Sequence, residues 1–311
     1  MTSSTSSSSF SSRQTFNILL GTLLISLFYM AVTSLFGLKA RFAESNQQTN
    51  LIRLSDFQAH SDMRLILCGS SLTGRLLPDY FASTGLPVDK IVNLGLDGMA
   101  VPYSVEQVAK SDKPIKLVVI EGNLILKRNR ANEKSVEETL HSLSFRLTRK
   151  IPLLSPAYRP SSELYSLLKQ LKEKEGNSAF LKQAETFAIK VQLPQKTHHT
   201  ERDLGELPLL SAQQLENARA VAQMISTLQE KGRQVMVVML PMGKNRKKTV
   251  ASQYAYIHWL MQNRGIAFLD LMSHMPDRML RYSDGMHMQR SSAKLAVHYI
   301  AQAAKELEAQ R

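Results

Sequence analysis

Twenty-three consecutive residues near the amino terminus, Phe16–Leu38, contain no ionisable side chain other than Tyr29. No polar face interrupts the run, so a helix formed by it has no side to offer water. At about 1.5 Å per residue it crosses a hydrocarbon core about 30 Å thick with slight tilt. A secretory leader has a shorter apolar region and a small-residue cleavage site. The following Gly37-Leu38-Lys39-Ala40-Arg41 is not such a site. The sequence therefore predicts a retained single span over 16–38. A flexible Ser-rich tail precedes it at 1–15, with eight Ser and one charge, Arg13, and a linker follows at 39–60. The flanking charges, Arg13 against Lys39, Arg41 and Arg53, mildly favour a cytoplasmic position for the rest of the chain.

The remainder has the composition of a globule. Of the chain's 311 residues, 43% are hydrophobic and 21% charged, enough apolar material for a packed core. A single Cys excludes an intramolecular disulfide framework and any multi-Cys metal site. Cys68 lies inside an apolar run and reads as a small core residue. The formal charge of +13 invites an anionic partner, but no nucleic-acid motif accompanies it. Aromatic residues are only 7%, which leaves little for a base-stacking platform.

From residue 61 onward, short apolar runs alternate with longer amphipathic ones. Met63–Cys68, Lys90–Leu94, Leu117–Glu121, Gln234–Leu240 and Ala267–Leu271 read as buried strands. Helices are expected over Ser104–Lys110, Ala212–Lys231 (opened by a Ser211…Gln214 capping box), Lys248–Asn263 and Arg290–Ala309. Such alternation predicts an α/β fold, a five-stranded parallel sheet covered on both faces. Residues 124–210 break the rhythm with helical patterns and no strand, including a Ser135…Glu138 capping box and a helix over Glu163–Val191. An insertion of this length is a helical cap on the 61–311 domain. Residues 124–200 hold fourteen Lys/Arg against seven Asp/Glu. Lys127, Arg128 and Arg130 are the candidates for drawing an anionic substrate toward the cap, and Lys244–Lys248 form a second basic cluster.

Ligands of open parallel sheets bind beyond the carboxyl ends of the strands, and four short motifs fall there. After the first strand comes Gly69-Ser70-Ser71-Leu72, with Ser71 at an expected strand-to-helix turn where a helix dipole favours negative charge. After the second comes Asn93-Leu94-Gly95-Leu96-Asp97-Gly98, after the third Gly122-Asn123, and before the last helix Asp284-Gly285-Met286-His287. Together they supply a nucleophile, a base with its orienting acid, and oxyanion donors, the inventory of acyl transfer. His198-His199 lacks a third convergent ligand and reads as surface loop, so no metal is expected. Asp97 and Glu121 border the motifs and read as structural hydrogen-bonding groups.

In these motifs the chain resembles the SGNH (GDSL-like) hydrolases. The resemblance covers roughly 61–123 and 234–305. It implies a flavodoxin-like three-layer fold, Ser71 as nucleophile, His287 as base, Asp284 as its orienting acid, and an oxyanion hole of Ser71, Gly98 and Asn123. Gly95 is the alternative to Gly98. Ser70 stands where the family usually has Asp, and Leu124 where many members have Asp. Neither departure removes a residue with a catalytic role. With an N-terminal span, the chain is also similar to the membrane-anchored protein of teichoic-acid D-alanylation. The resemblance implies a cofactor-free serine esterase or O-acyltransferase acting on acyl esters of an envelope polysaccharide or glycolipid. Such substrates place the domain outside the cytoplasm, against the weak charge asymmetry of the anchor. The competing expectation is an inactive domain of the same shape that grips an acidic polymer or a membrane surface.

Overall fold

The computed structural model describes residues 12–35, 40, 42–43, 45–151, 154–172, 191–192, 204–207, 210–243 and 250–310. Five strands form its sheet: β1 (Met63–Gly69), β2 (Ile91–Gly95), β3 (Ile115–Glu121), β4 (Gln234–Met239) and β5 (Ala267–Asp270). All pair in parallel, in the order β2-β1-β3-β4-β5. The central strands are continuous Val/Ile/Leu/Met runs because both faces are covered; Leu65 through Cys68 and Met236 through Met239 are all buried. The helices of eight residues or more are α1 (Ser12–Leu35), α2 (Asn46–Ala59), α3 (Val101–Lys110), α4 (Arg130–His141), α5 (Leu143–Lys150), α6 (Pro160–Lys172), α7 (Ala212–Glu230), α8 (Ala251–Arg264) and α9 (Arg290–Ala309).

Right-handed crossovers decide which helix covers which face. The steps β2→β3→β4→β5 all run one way across the sheet, so α3, α7 and α8 share one face and pack side by side. The step β1→β2 runs the other way and puts the 3-10 segment Pro78–Thr84 on the opposite face, where α9 packs on it. The chain order reverses between β1 and β3, which opens a crevice at their carboxyl ends. The outer edge of β5 is capped by Gln192, whose N–H and C=O pair with Phe268 at 2.7 and 2.9 Å.

The α/β class, the five parallel strands and the apolar N-terminal helix match the sequence reading. The Ser211–Gln214 capping box forms at α7 with both reciprocal hydrogen bonds. Two expectations change. Residues 39–60 are not merely a linker: Ser45 caps α2, which buries Leu51, Ile52, Leu54 and Phe57 against the domain. Ser135 caps nothing. Asn129 caps α4 six residues earlier, and Ser135 lies inside that helix with its carbonyl taken by Thr139 Oγ1 at 2.9 Å. Asparagine is among the strongest N-caps, and here it overrides the later signal. The helix expected over Glu163–Val191 is described as α6 to Lys172, its remainder up to residue 190 lying outside the described residues. Also outside them lie the tail before Ser12, His198-His199 and the basic cluster Lys244–Lys248. α1 is long and apolar enough to cross a membrane.

Candidate active site

Ser71 follows β1 in a tight turn, and the 3-10 turn Thr73–Arg75 succeeds it. No α-helix begins there, so the expected helix dipole is missing and only local N–H groups remain to meet negative charge. The turn is shaped from below by Glu121, the last residue of β3. This carboxylate is 2% exposed and accepts from Ser70 N (2.9 Å), Ser70 Oγ (2.8 and 2.9 Å), Thr73 N (3.3 Å) and Thr73 Oγ1 (2.8 Å). Burial pushes the Glu121 carboxyl above the ordinary glutamate value, outweighing the hydrogen bonds that favour the anion. From the side, buried Asn93 donates to Thr73 O (2.8 Å) and Leu76 O (2.7 Å). Glu121 and Asp97 thus act as the structural hydrogen-bonding groups read from the sequence; Asp97 is ion-paired to Arg53 at 3.1 Å.

His287 reaches Ser71 from the loop before α9. Its Nε2 is 2.8 Å from Ser71 Oγ, and its Nδ1 is 2.5 Å from Asp284 Oδ2. The ring is 14% exposed and the Asp284 side chain 50%. The spacing of three lets Asp284 Oδ1 also accept from His287 N (2.7 Å) and Met286 N (3.1 Å). Partial burial alone would raise the Asp284 carboxyl; these donors outweigh it and hold the group well below the usual carboxylate range. With Nδ1–H directed at that anion, Nε2 is left as the acceptor for the Ser71 hydroxyl. The segment after β4 supports the loop. Tyr282 donates to Met242 O at 3.1 Å, and a Cβ placed on Gly243 would lie 1.5 Å from the carbonyl oxygen of Gly285.

The expected oxyanion donors fare differently. Among the described residues, the N–H groups of Ser71 and Gly98 have no protein acceptor. Gly98 is exposed with φ +71. Gly95 is packed instead: a Cβ there would sit 2.3 Å from Gly74 N, so β2 ends against the Ser71 turn. The side chain of Asn123 is engaged by the β4 backbone. It is fully buried, donating to Leu240 O and accepting from Leu240 N, both at 2.8 Å. A strand-end asparagine has two local uses, and the neighbouring β4 backbone has taken this one.

Two of the three cations singled out in 124–200 are ion-paired. Arg128 is held by Glu133 (2.8 Å) and Glu106 (2.5 Å), and Arg130 by Glu216 (2.8 Å). Both tie the start of α4 to the domain. Lys127 is exposed, beside a cavity of about 600 Å³ that Asn123, Leu124, Asn217 and Met242 help to line. Cys68 is fully buried and burial pushes its thiol up, so it is an inert core residue. Among the described residues no group of three His, Cys, Asp or Glu converges to hold a metal.

Sequence reasoning missed the contribution of α2. Asn50 pairs with the backbone of Asp97 in both directions, at 2.9 and 2.7 Å. Arg53, 6% exposed, donates to Gly95 O, to Gly74 O (3.1 Å) and to Asp97 Oδ1 (3.1 Å). One helix therefore pins the turn after Ser71 to the loop that carries Gly98. From the cap side, Asn132 of α4 donates to Gly98 O at 2.8 Å. The sequence signal for α2 was the Ser45 cap with Leu51, Leu54 and Phe57 at helical spacing; nothing in it revealed where Asn50 and Arg53 reach.

No family model matches the chain, and no curated protein matches it in sequence. Among solved structures, a candidate acylhydrolase from Bacteroides fragilis NCTC 9343 is similar at 14% identity and a TM-score of 0.40. The alignment covers 82% of this chain and 94% of that one.

Proposed function

We propose that this chain is a membrane-anchored serine esterase or O-acyltransferase of the SGNH type. The observation that carries the reading is the hydrogen-bonded relay Ser71–His287–Asp284. Ser71 attacks an ester carbonyl as His287 Nε2 takes its proton, a general-base contribution worth about 10²–10⁴ in rate. Asp284 keeps the ring in the useful tautomer and stabilises the imidazolium. The tetrahedral oxyanion is received by the backbone N–H groups of Ser71 and Gly98, each such donor being worth about 3 kcal/mol. His287 then returns the proton to the leaving alkoxide, and water or an acceptor hydroxyl releases the acyl group by the reverse sequence. Both acceptors use the same groups, so the site serves hydrolysis and transfer alike. The cavity beside Leu124 and Met242 is the candidate berth for the acyl or leaving group.

In this reading α1 is a retained single span, and the domain faces the envelope, where acylated glycans and glycolipids lie. The test is labelling of the full chain by a fluorophosphonate together with turnover of a short-chain acyl ester. Ser71→Ala is expected to lose both while melting like the wild type; retained turnover in that variant sinks the reading. Reporter fusions after residue 311 test the orientation, and a cytoplasmic reporter would redirect the search to lipid or small-molecule esters.

A further inference from the structure

Helix α6 is folded inside out for a surface helix in water. Two of its three serines point inward: Ser162 is fully buried, and Ser166, 4% exposed, exchanges hydrogen bonds with the backbone of Phe42 at 2.9 and 3.0 Å. Leu164, Leu167 and Leu168 point outward, 57%, 52% and 56% exposed. α5 adds Leu143 and Leu147 to this outward set, and the turn after it adds Ile151 and Leu154. Among the described residues, every exposed large hydrophobic side chain lies either in α1 or between Leu143 and Leu168. An amphipathic helix in water does the reverse, and exposed apolar side chains concentrated in one stretch of chain mark a contact surface.

Two observations say which contact. The patch is joined to the apolar N-terminal helix: Tyr29 donates to Tyr158 O at 2.9 Å, and Ala40 N donates to Ala157 O at 2.7 Å. Tyr29 lies toward the carboxyl end of α1, so this contact holds the segment between α5 and α6 against the end of the helix from which the chain enters the domain. The charge is also of the right sign, because residues 143–172 hold six Lys/Arg and one acid. Leucine faces with basic flanks bind anionic lipid surfaces.

We propose that the outward face of α5 and α6 docks in the headgroup boundary of the same bilayer that α1 spans, with an anionic leaflet as its partner. The proposal rests on α1 being a span and is independent of the acyl chemistry. The cap then lies on the membrane, and the site that α4 helps to frame opens close to that surface.

The buried Cys68 allows site-directed spin labelling of the full chain without removing it. Labels are placed on L24C in α1, L147C in α5, L168C in α6 and K134C on α4, and the protein is put into nanodiscs of phosphatidylcholine with phosphatidylglycerol. Relaxation by oxygen and by a nickel chelate is then measured. The labels at 147 and 168 are expected to show an oxygen-to-nickel accessibility ratio severalfold above that at 134, approaching that at 24. Nickel access at 147 and 168 equal to that at 134 would overturn the proposal. Low access to both reagents would overturn it too, because protein then covers the face, whether residues 173–190 of this chain or a partner. Aqueous access at 24 would refute the span itself and leave the acyl-transfer reading to its own test. Variants that melt like the wild type carry the comparison.

Discussion

Gly243 and Gly285 meet across the back of the loop that holds Asp284 and His287, and a single methyl group should separate them. A Cβ at residue 243 would stand 1.5 Å from Gly285 O. Reaching even 3.0 Å, closer than Cβ atoms normally approach oxygen, requires a shift of 1.5 Å. The strand side resists, because Leu240 is bonded to Asn123 in both directions and Met242 O to Tyr282. The Asp284–Gly285 turn is exposed, so the loop gives way. His287 sits 2.8 Å from Ser71, and a displacement of that size takes the pair beyond hydrogen-bond range. Misplacement by about 1 Å is sufficient to lower a rate about 10²-fold. Gly243→Ala is therefore expected to slow both fluorophosphonate labelling and ester turnover by about 10²-fold or more, with only a small change in melting temperature. Gly285→Ala is the matched control. It is strained by φ +74 but meets no atom within 4 Å, so its cost of about 1–2 kcal/mol falls on the backbone. Labelling by Gly243→Ala within threefold of the wild type would refute the steric reasoning.

Three further outcomes are expected. Arg53→Ala leaves Asp97 without its partner and two buried carbonyls without a donor; breaking such a pair costs about 3–5 kcal/mol. At about 2–4 °C per kcal/mol for a domain of this size, the thermal melt should fall by about 10 °C; a fall below about 2 °C would refute the brace. The Glu121 carboxyl is raised by burial, so the folded protein holds its proton to a higher pH than the unfolded chain. Wild-type stability should then decline as pH rises from about 4.5 through the folded value, whereas Glu121→Gln should lack that decline; parallel melting curves from pH 4 to 8 would contradict this. Asn123→Ala strips both Leu240 backbone groups of their partner, a penalty of about 2–6 kcal/mol. A variant that melts normally yet loses turnover would return that amide to the oxyanion.

Legibility in the sequence followed the range of the interaction. The strands were readable because strands buried on both faces are continuous apolar runs, as in Leu65–Cys68 and Val235–Met239. The Asp284–His287 contact was readable because three residues of spacing fix it locally. Their meeting with Ser71 followed only from the rule that motifs after parallel strands converge. The tie of the Asn123 amide to the β4 backbone was not legible, since it depends on Leu240, 117 residues away. Arg53 was counted as a flanking charge of the apolar run, because its partners at Gly74, Gly95 and Asp97 lie beyond local sequence. The pairing of Arg128 with Glu106 and of Arg130 with Glu216 was hidden for the same reason. The contact of Gly243 with Gly285 leaves no trace in either local sequence.

The position of α2 sets a limit on how far the chain can be trimmed from its amino end. Its cap, Ser45, comes ten residues after the last residue of α1, yet Asn50 and Arg53 hold the loops around the nucleophile. A cut ahead of Ser45 would leave α2, and with it the brace of the site, on the domain. Cleavage fifteen residues later, beyond Ala59, would free a domain that has lost its brace and bares the seats of Leu51, Leu54 and Phe57. Removal of the apolar helix and loss of the brace are thus separated by a single helix.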